Sequence, residues 1–564
     1  MTASRSATVD PMTYWRTPPG IERGYVDCRF GQLHYAMVRP RETKAPPLVC
    51  FHATPTSWRS WQAAMPEIGR DRLVIAVDTP GYGDSAKPPA VSTIEQYAAA
   101  VGEGLDRLGL VRYDAIGNHT GSKVAVELAL QRSHQVRRLV LVSAPYYTAA
   151  EVAAMKARYK EVPIRDDASH FVVRWKMMFE TQGKHLPLDI IQRTYTDTFR
   201  GGLEYEWGHH AAFAYQHQDN LPRVEQPVLI LNPNDSIHEA TKRAGAHLKN
   251  GKLVNLQSSH ELIDLKPAEF ARMLRDFLDG DGKDVARPAV KPTPAAPAVK
   301  HRSVRRAYAP GRFGQLHYRF AAPERPSRRA LLCLHASPQS SLNYDRMIEA
   351  MGTDRFAVAP DTPGFGGSEW PASPPAIEDY AGAMIDLVHS LGLTAIDVMG
   401  FHTGSMTAVE IARQSRGLVH RIVMYSAPVF LPDELPVLRS GYGAVIPEPE
   451  GSHTVKRWQK MWQWRDPGQS AEAFSIIMAE AFRGGPLSWW GHNAAFNYPF
   501  VERLRACDRE ILVLNPNDDL VNHSRRAAPL MRHGRILELP TFRHGMMDVH
   551  TEALAGHLRA FLDG

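Results

Sequence analysis

Two tandem α/β domains are predicted, each a mostly parallel sheet flanked by helices and interrupted by a helical cap. Three observations predict this. A constant offset carries FGQLHY at Phe30–Tyr35 onto the same six residues at Phe313–Tyr318, and it also carries His52 to His335, Asp78 to Asp361, His119 to His402, Trp207 to Trp490 and Asp235 to Asp518. A single-residue insertion then takes His260 to His544 and one terminal FLDG onto the other. A repeat of this length is a duplicated domain, not a solenoid unit. Second, within each copy short apolar runs alternate with helical periodicity, which implies a sheet covered on both faces. Third, a segment rich in Pro, Ala and Lys without amphipathic period separates the copies, a composition that favours an extended connection.

In the first copy the apolar runs predict strands over 47–52, 73–78, 113–118, 138–144 and 227–235, and the 3.6-residue period predicts helices over 122–131 and 268–278. A Trp-, Tyr- and His-rich stretch over 146–222, repeated at 429–505, breaks the alternation and reads as a cap over the carboxyl ends of the strands, where open α/β sheets bind ligands. The expected organisation is an arm over 1–25, a first domain over 26–280, a linker over 281–305 and a second domain over 306–564. The duplication suggests that the two domains pack as a pseudo-dimer.

The composition excludes several classes. Of 564 residues, 66 are basic and 60 acidic, and no Lys/Arg stripe with interleaved aromatics occurs, so a nucleic-acid partner is not expected. The four cysteines, Cys28, Cys50, Cys333 and Cys507, form no CxxC pair and read as buried free thiols of a reducing compartment. The opening residues lack the apolar core of a secretory signal, and no apolar run approaches a membrane span. A cytoplasmic protein acting on a small molecule, away from membranes, is the expectation.

Three motifs carry a resemblance. HATPTSW at 52–58, DTPGYGDS at 78–85 and GNHTG at 117–121 recur as HASP at 335–338, DTPGFGGS at 361–368 and GFHTG at 400–404. They resemble the HGxPxSW turn, the DxxGYGxS loop and the nucleophile elbow of the α/β-hydrolase superfamily, closest to its epoxide-hydrolase and haloalkane-dehalogenase branch. The resemblance covers nearly the whole chain apart from the linker and the first two dozen residues. It implies that Asp235 and Asp518, each ending LNPND, are the acids, and that His260 and His544 are the bases. It also implies an oxyanion hole from the amides of Thr54 and Thr120, and of Ser337 and Thr403, with Ala53 and Ala336 standing where the family has glycine.

The sequence departs from the family at the elbow itself, where His119 and His402 replace Ser, Cys or Asp. An ester on an elbow hydroxyl or carboxylate is therefore excluded. Three chemistries remain. The elbow imidazole attacks a carbonyl and forms an acyl-imidazole; or it serves as acid, base or hydrogen-bond donor beside the Asp–His pair; or His52, His119 and His260 hold zinc or iron. A non-catalytic, ligand-binding version of the fold is the alternative to all three. Both copies keep elbow histidine, acid and late histidine, which speaks for an enzyme without cofactor cleaving an ester, amide, lactone or C–C bond.

Other polar residues are weighed similarly. Thr120, Ser122, Thr403 and Ser405 read as helix-start caps, and His34 and His317 as edge or surface residues. In the caps, Trp207, His209, Trp490 and His492 are candidate substrate contacts, although aromatic packing explains most of this repeat. Arg174 and Arg457 suit a carboxylate-bearing substrate. The copies differ at Asn118 and Phe401, His210 and Asn493, and Ser259 and Arg543, so different substrate preferences or unequal rates are expected.

Overall fold

The computed structural model describes residues 12–182, 186–258, 261–280 and 304–564. His260, Ser259 and nearly all of the expected linker lie outside the described residues. The chain divides into two compact units. One runs to Pro163 and resumes at Val173; the other holds Ile164–Val172 together with the second copy to Gly564.

In the first unit the strands are β1 (Ile21–Cys28), β2 (Gly31–Val38), β3 (Leu48–Phe51), β4 (Val74–Val77), β5 (Tyr113–Asn118), β6 (Val136–Val142), β7 (Val228–Asn232) and β8 (Gly251–Asn255). They form one sheet in the order β1-β2-β4-β3-β5-β6-β7-β8. β1 and β2 make an antiparallel hairpin, with Ile21 opposite Val38, and β2 also runs antiparallel to β4. Every later pairing is parallel, including β3 with β5 and β5 with β6. The second unit repeats the order with β9 (Arg305–Gly311), β10 (Gly314–Ala321), β11 (Ala330–Leu334), β12 (Ala357–Pro360), β13 (Ile396–Phe401), β14 (Val419–Tyr425), β15 (Glu510–Pro516) and β16 (Gly534–Leu539).

The central strands are buried on both faces, which explains their unbroken apolar sequences. Along β3, Val49 and Phe51 pack with Val101, Val124 and Leu128 of the helices Ile94–Arg107 and Thr120–Gln131. Leu48 and Cys50 face the other way, against Trp61, Met65 and Phe270. The Trp61 and Phe270 rings stack at 6.2 Å. All four cysteines are free and buried.

Between β6 and β7 the chain forms the helices Ala149–Arg158, Ser169–Gln182, Leu188–Arg200 and Trp207–Ala214. Between β14 and β15 it forms Leu435–Gly441, Ser452–Trp462, Ala471–Arg483 and Trp490–Asn497. Among the described residues, no helix is long and apolar enough to cross a membrane.

The expectation that His34 and His317 lie at an edge or surface is corrected. β2 is covered by β1, and both imidazoles are buried. His34 Nδ1 lies 2.8 Å from Asp78 Oδ2, and His317 Nδ1 lies 2.7 Å from Asp361 Oδ2. A buried carboxylate needs partners, and Asp78 also accepts the amides of Trp58 (2.6 Å) and Asp84 (2.9 Å). Asp78 thus ties the two loops beside the elbow together.

Candidate active site

β5 ends at Asn118, and the helix Thr120–Gln131 starts two residues later, which leaves His119 at the bend with φ 49° and ψ −113°. His402 repeats this between β13 and the helix Thr403–Gln414, with φ 47° and ψ −106°. A non-glycine residue held at such angles carries about 1–3 kcal/mol of strain and persists only where its surroundings enforce it. The flanking glycines do so. A Cβ on Gly117 would stand 2.1 Å from the Gly121 carbonyl oxygen, and one on Gly404 would stand 2.2 Å from that of Leu334. The bend turns the imidazole into a cavity at the carboxyl end of the sheet. His119 lines a cavity of about 230 Å³, and His402 one of about 480 Å³.

The acid lies directly beneath each imidazole. His402 Nε2 is 3.1 Å from Asp518 Oδ2 and hydrogen-bonded to it; in the first unit His119 Nε2 is 3.6 Å from Asp235 Oδ2. Two further partners fix each carboxylate. The Leu520 amide donates to Asp518 Oδ1 (2.8 Å) and the Ser426 hydroxyl to Oδ2 (2.6 Å). The Ile237 amide and Ser143 hydroxyl do the same for Asp235, at 2.9 and 2.5 Å. Ser143 and Ser426 sit just past β6 and β14 at φ 52° and 57°. The sequence reading missed them, although the repeat aligns the Ser-Ala-Pro that contains each. Burial works against ionisation of Asp518, but the hydrogen bond and charge of His402 and the charge of His544 outweigh it and hold the carboxyl below its usual range.

The late histidine of the second unit completes a cluster. His544 Nε2 lies 3.1 Å from Asp519 Oδ1 and 3.8 Å from Asp518 Oδ2, and its ring centroid is 5.3 Å from that of His402. The nearer carboxylate is thus Asp519, which the sequence reading did not select. Its counterpart in the first copy is Ser236. Burial opposes a charge on His544, yet the bond and charge of Asp519, with Asp518 behind, raise the imidazole above its ordinary value.

The helix-start hydroxyls do not act as caps: neither helix has a side-chain cap, and each is preceded by its elbow imidazole. Ser122 instead donates to the His119 carbonyl (2.5 Å), and Ser405 donates to those of Gly400 and Ser426 (both 2.9 Å). Their protons are committed to backbone behind the bend. Thr120 and Thr403 open their helices, so their amides have no acceptor one turn back. Thr54 and Ser337 line the cavities beside the elbow imidazoles.

His52 is corrected as a metal ligand. Its Nδ1 donates to the Ala53 carbonyl and its Nε2 accepts the Thr79 amide, both at 2.9 Å, so neither nitrogen is available. Among the described residues, two donor sets have ligating atoms all within 4.8 Å of one another: the buried His34, Asp78 and Asp84, and, at the cavity, His402, Asp518, Asp519 and His544. Both oxygens of Asp518 are already engaged there.

The cap residues divide. Arg174 and His209 line the first cavity, and Arg457 and His492 the second. Trp207 and Trp490 are not among the described lining residues, which corrects their reading as substrate contacts; Trp490 is buried and packs edge-on against Trp370. The neighbouring positions, Glu206 and Trp489, face the cavities instead. His209 Nδ1 lies 2.5 Å from Glu206 Oε2. His492 stacks on Tyr442 at 4.2 Å, and burial, with Arg457 next to it, pushes it down to about 3.

The family described as alpha/beta hydrolase fold matches residues 46–167 and again 329–447. With the two sheets and the two bends, this defines the class: each half of the chain has an α/β-hydrolase fold. Among curated relatives, the chain is 37% identical over 102 residues to 2-hydroxy-6-oxo-2,4-heptadienoate hydrolase of Pseudomonas putida, covering 17% of this chain and 37% of that protein. It is 32% identical over 152 residues to haloalkane dehalogenase 2 of Mycobacterium tuberculosis, covering 27% of this chain and 49% of that protein. A fluoroacetate dehalogenase of Burkholderia sp is 24% identical over 279 residues, covering 41% of this chain and 87% of that protein. The chain thus matches less than half the length of the first two relatives.

Proposed function

We propose that both units are hydrolytic or C–C-cleaving enzymes acting on a small carbonyl compound without a covalent ester on the elbow. The observation that carries this reading is the hydrogen bond from His402 Nε2 to Asp518. An ionised carboxylate only accepts, so Nε2 bears a proton and donates it to Asp518. In the cationic ring, Nδ1–H then serves as a positioned donor toward the substrate oxygen or leaving group. His544, backed by Asp519, takes a proton from water as the water oxygen bonds to the carbonyl carbon. The oxyanion formed meets the amides of Ser337 and Thr403 at the helix N-terminus. On collapse, the bond to the leaving group breaks and the proton passes from His544 to that group. In the first unit the same roles fall to His119, Asp235, His260, Thr54 and Thr120.

The names of the relatives, a dienoate hydrolase and dehalogenases, support a reaction in this class and leave the substrate open. Turnover of a panel of nitrophenyl esters and lactones by the full chain tests the reading. His119→Ala with His402→Ala should lower it by about 10²–10⁴-fold, the range for positioned acid–base groups. Unchanged turnover in the double variant would sink it. A second reading, a divalent cation on His402, Asp519 and His544, rests on the 4.8 Å donor cluster. It predicts stoichiometric metal by elemental analysis and loss of turnover on chelation.

A further inference from the structure

Resting on the reading of these cavities as substrate sites, we infer that the two units take substrates of different charge: the second binds an organic anion through Arg457 and Lys460, while the first takes a substrate without negative charge. Two exchanges between the copies carry this. Arg174 and Arg457 occupy equivalent cap positions, but Glu206 in the first copy is Trp489 in the second, and Met177 is Lys460. All six line their cavities.

In the first unit the Arg174 guanidinium stacks on Tyr205, 3.1 Å from the ring centroid, and Glu206 supplies negative charge nearby. Its cation is answered from within the protein. Of the other arginines lining this cavity, Arg193 is paired with Asp264 at 3.0 Å, and Arg158 is exposed.

In the second unit, neither Arg457 nor Lys460 has an ion-pair partner among the described residues, and the Lys460 ammonium sits over the Tyr442 ring at 3.9 Å. Burial pushes Arg457 down to about 10, and burial followed by the charge of Arg457 lowers Lys460. The acids of this cavity are engaged elsewhere. Glu448 is paired with Lys456 at 2.9 Å, Asp548 accepts from Gln469 at 3.2 Å, and Asp519, paired with His544 at 3.1 Å, supplies negative charge to Lys460 but not to Arg457. Two cations on one helix, Ser452–Trp462, the half-buried Arg457 and the exposed Lys460 at the rim, face a cavity that also holds His402 and make a carboxylate site of the kind a planar guanidinium favours.

Isothermal titration of the full chain with benzoate, and with benzamide as its uncharged isostere, tests this without requiring turnover. The expected result is one benzoate per chain. Arg457→Gln or Lys460→Met should weaken benzoate by at least about tenfold, as for loss of a hydrogen bond to a charged group, with benzamide changed far less. Lys460→Met installs the residue the first unit already carries, so it guards against a variant that fails to fold. Glu206→Gln should add a second, weaker benzoate site. The inference is overturned if the wild type binds no benzoate at millimolar concentration, if both probes weaken alike, or if Arg174→Gln rather than Arg457→Gln removes the site. Loss of ester turnover in His119→Ala with His402→Ala reports on catalysis alone, so the two readings fail separately.

Discussion

The first and second units share one scaffold and one bend, yet the acid segment differs by a single carboxylate: Asp235 is followed by Ser236, and Asp518 by Asp519. In the second unit each of two imidazoles therefore has its own acid, His402 on Asp518 and His544 nearest Asp519. In the first, Asp235 is the one carboxylate of that pair of positions, 3.6 Å from His119. The difference teaches that the bend and its acid are a common frame, whereas the residue after the acid is where the second unit gains the charge that raises His544.

That comparison can be broken by silencing one unit at a time. In the full chain, His402→Ala should remove the second unit's share of turnover by about 10²–10⁴-fold and leave that of the first, with His119→Ala doing the reverse; substrate panels for the two single variants then show whether the preferences differ. Identical panels would remove the distinction. On the stability side, Gly404→Ala should destabilise the second unit by about 1–3 kcal/mol or more, because the new Cβ would stand 2.2 Å from the Leu334 carbonyl oxygen. Denaturant unfolding measures this, and Gly121→Ala should match it in the first unit.

A finer effect is on pH. His544 must be neutral to accept a proton, and Asp519 raises its pKa above the usual imidazole value. Activity of the second unit, read in the His119→Ala background, should therefore rise with pH through a midpoint above that of an ordinary histidine. Asp519→Asn removes the stabilising charge and should move this limb to lower pH. A limb that does not move would assign the base elsewhere. The smallest effect concerns the serines past β6 and β14. Ser426→Ala removes a donor to a charged acceptor, a bond of about 1.5–3 kcal/mol, and part of that should appear as lost stability. Ser143→Ala should behave alike, since its bond to Asp235 has nearly the same length.

Much of the fold was legible because both periodicities were strong. The run YDAIGN became β5 residue for residue, and the repeat doubled each signal. The bends were legible too, since two glycines bracketing one residue between strand and helix have few other uses. What escaped depends on proximity rather than pattern. Ser143 and Ser426 are ordinary strand-end residues until the fold sets them against the acids. Asp519 carries no signal of its own until His544 is placed beside it. His34 was misread because its strand pattern gives no sign of the buried Asp78 opposite, and Trp207 drew attention where the adjacent Glu206 faces the cavity.

The direct reach of the elbow ring to its acid has a corollary. An imidazole spans the gap to Asp518 that the shorter serine hydroxymethyl would leave open. A serine at the bend would depend on His544 and Asp519, and Asp518 would keep only the Leu520 amide and the Ser426 hydroxyl. The first unit keeps the bend histidine with Ser236 in place of the second aspartate, so the two features are separable.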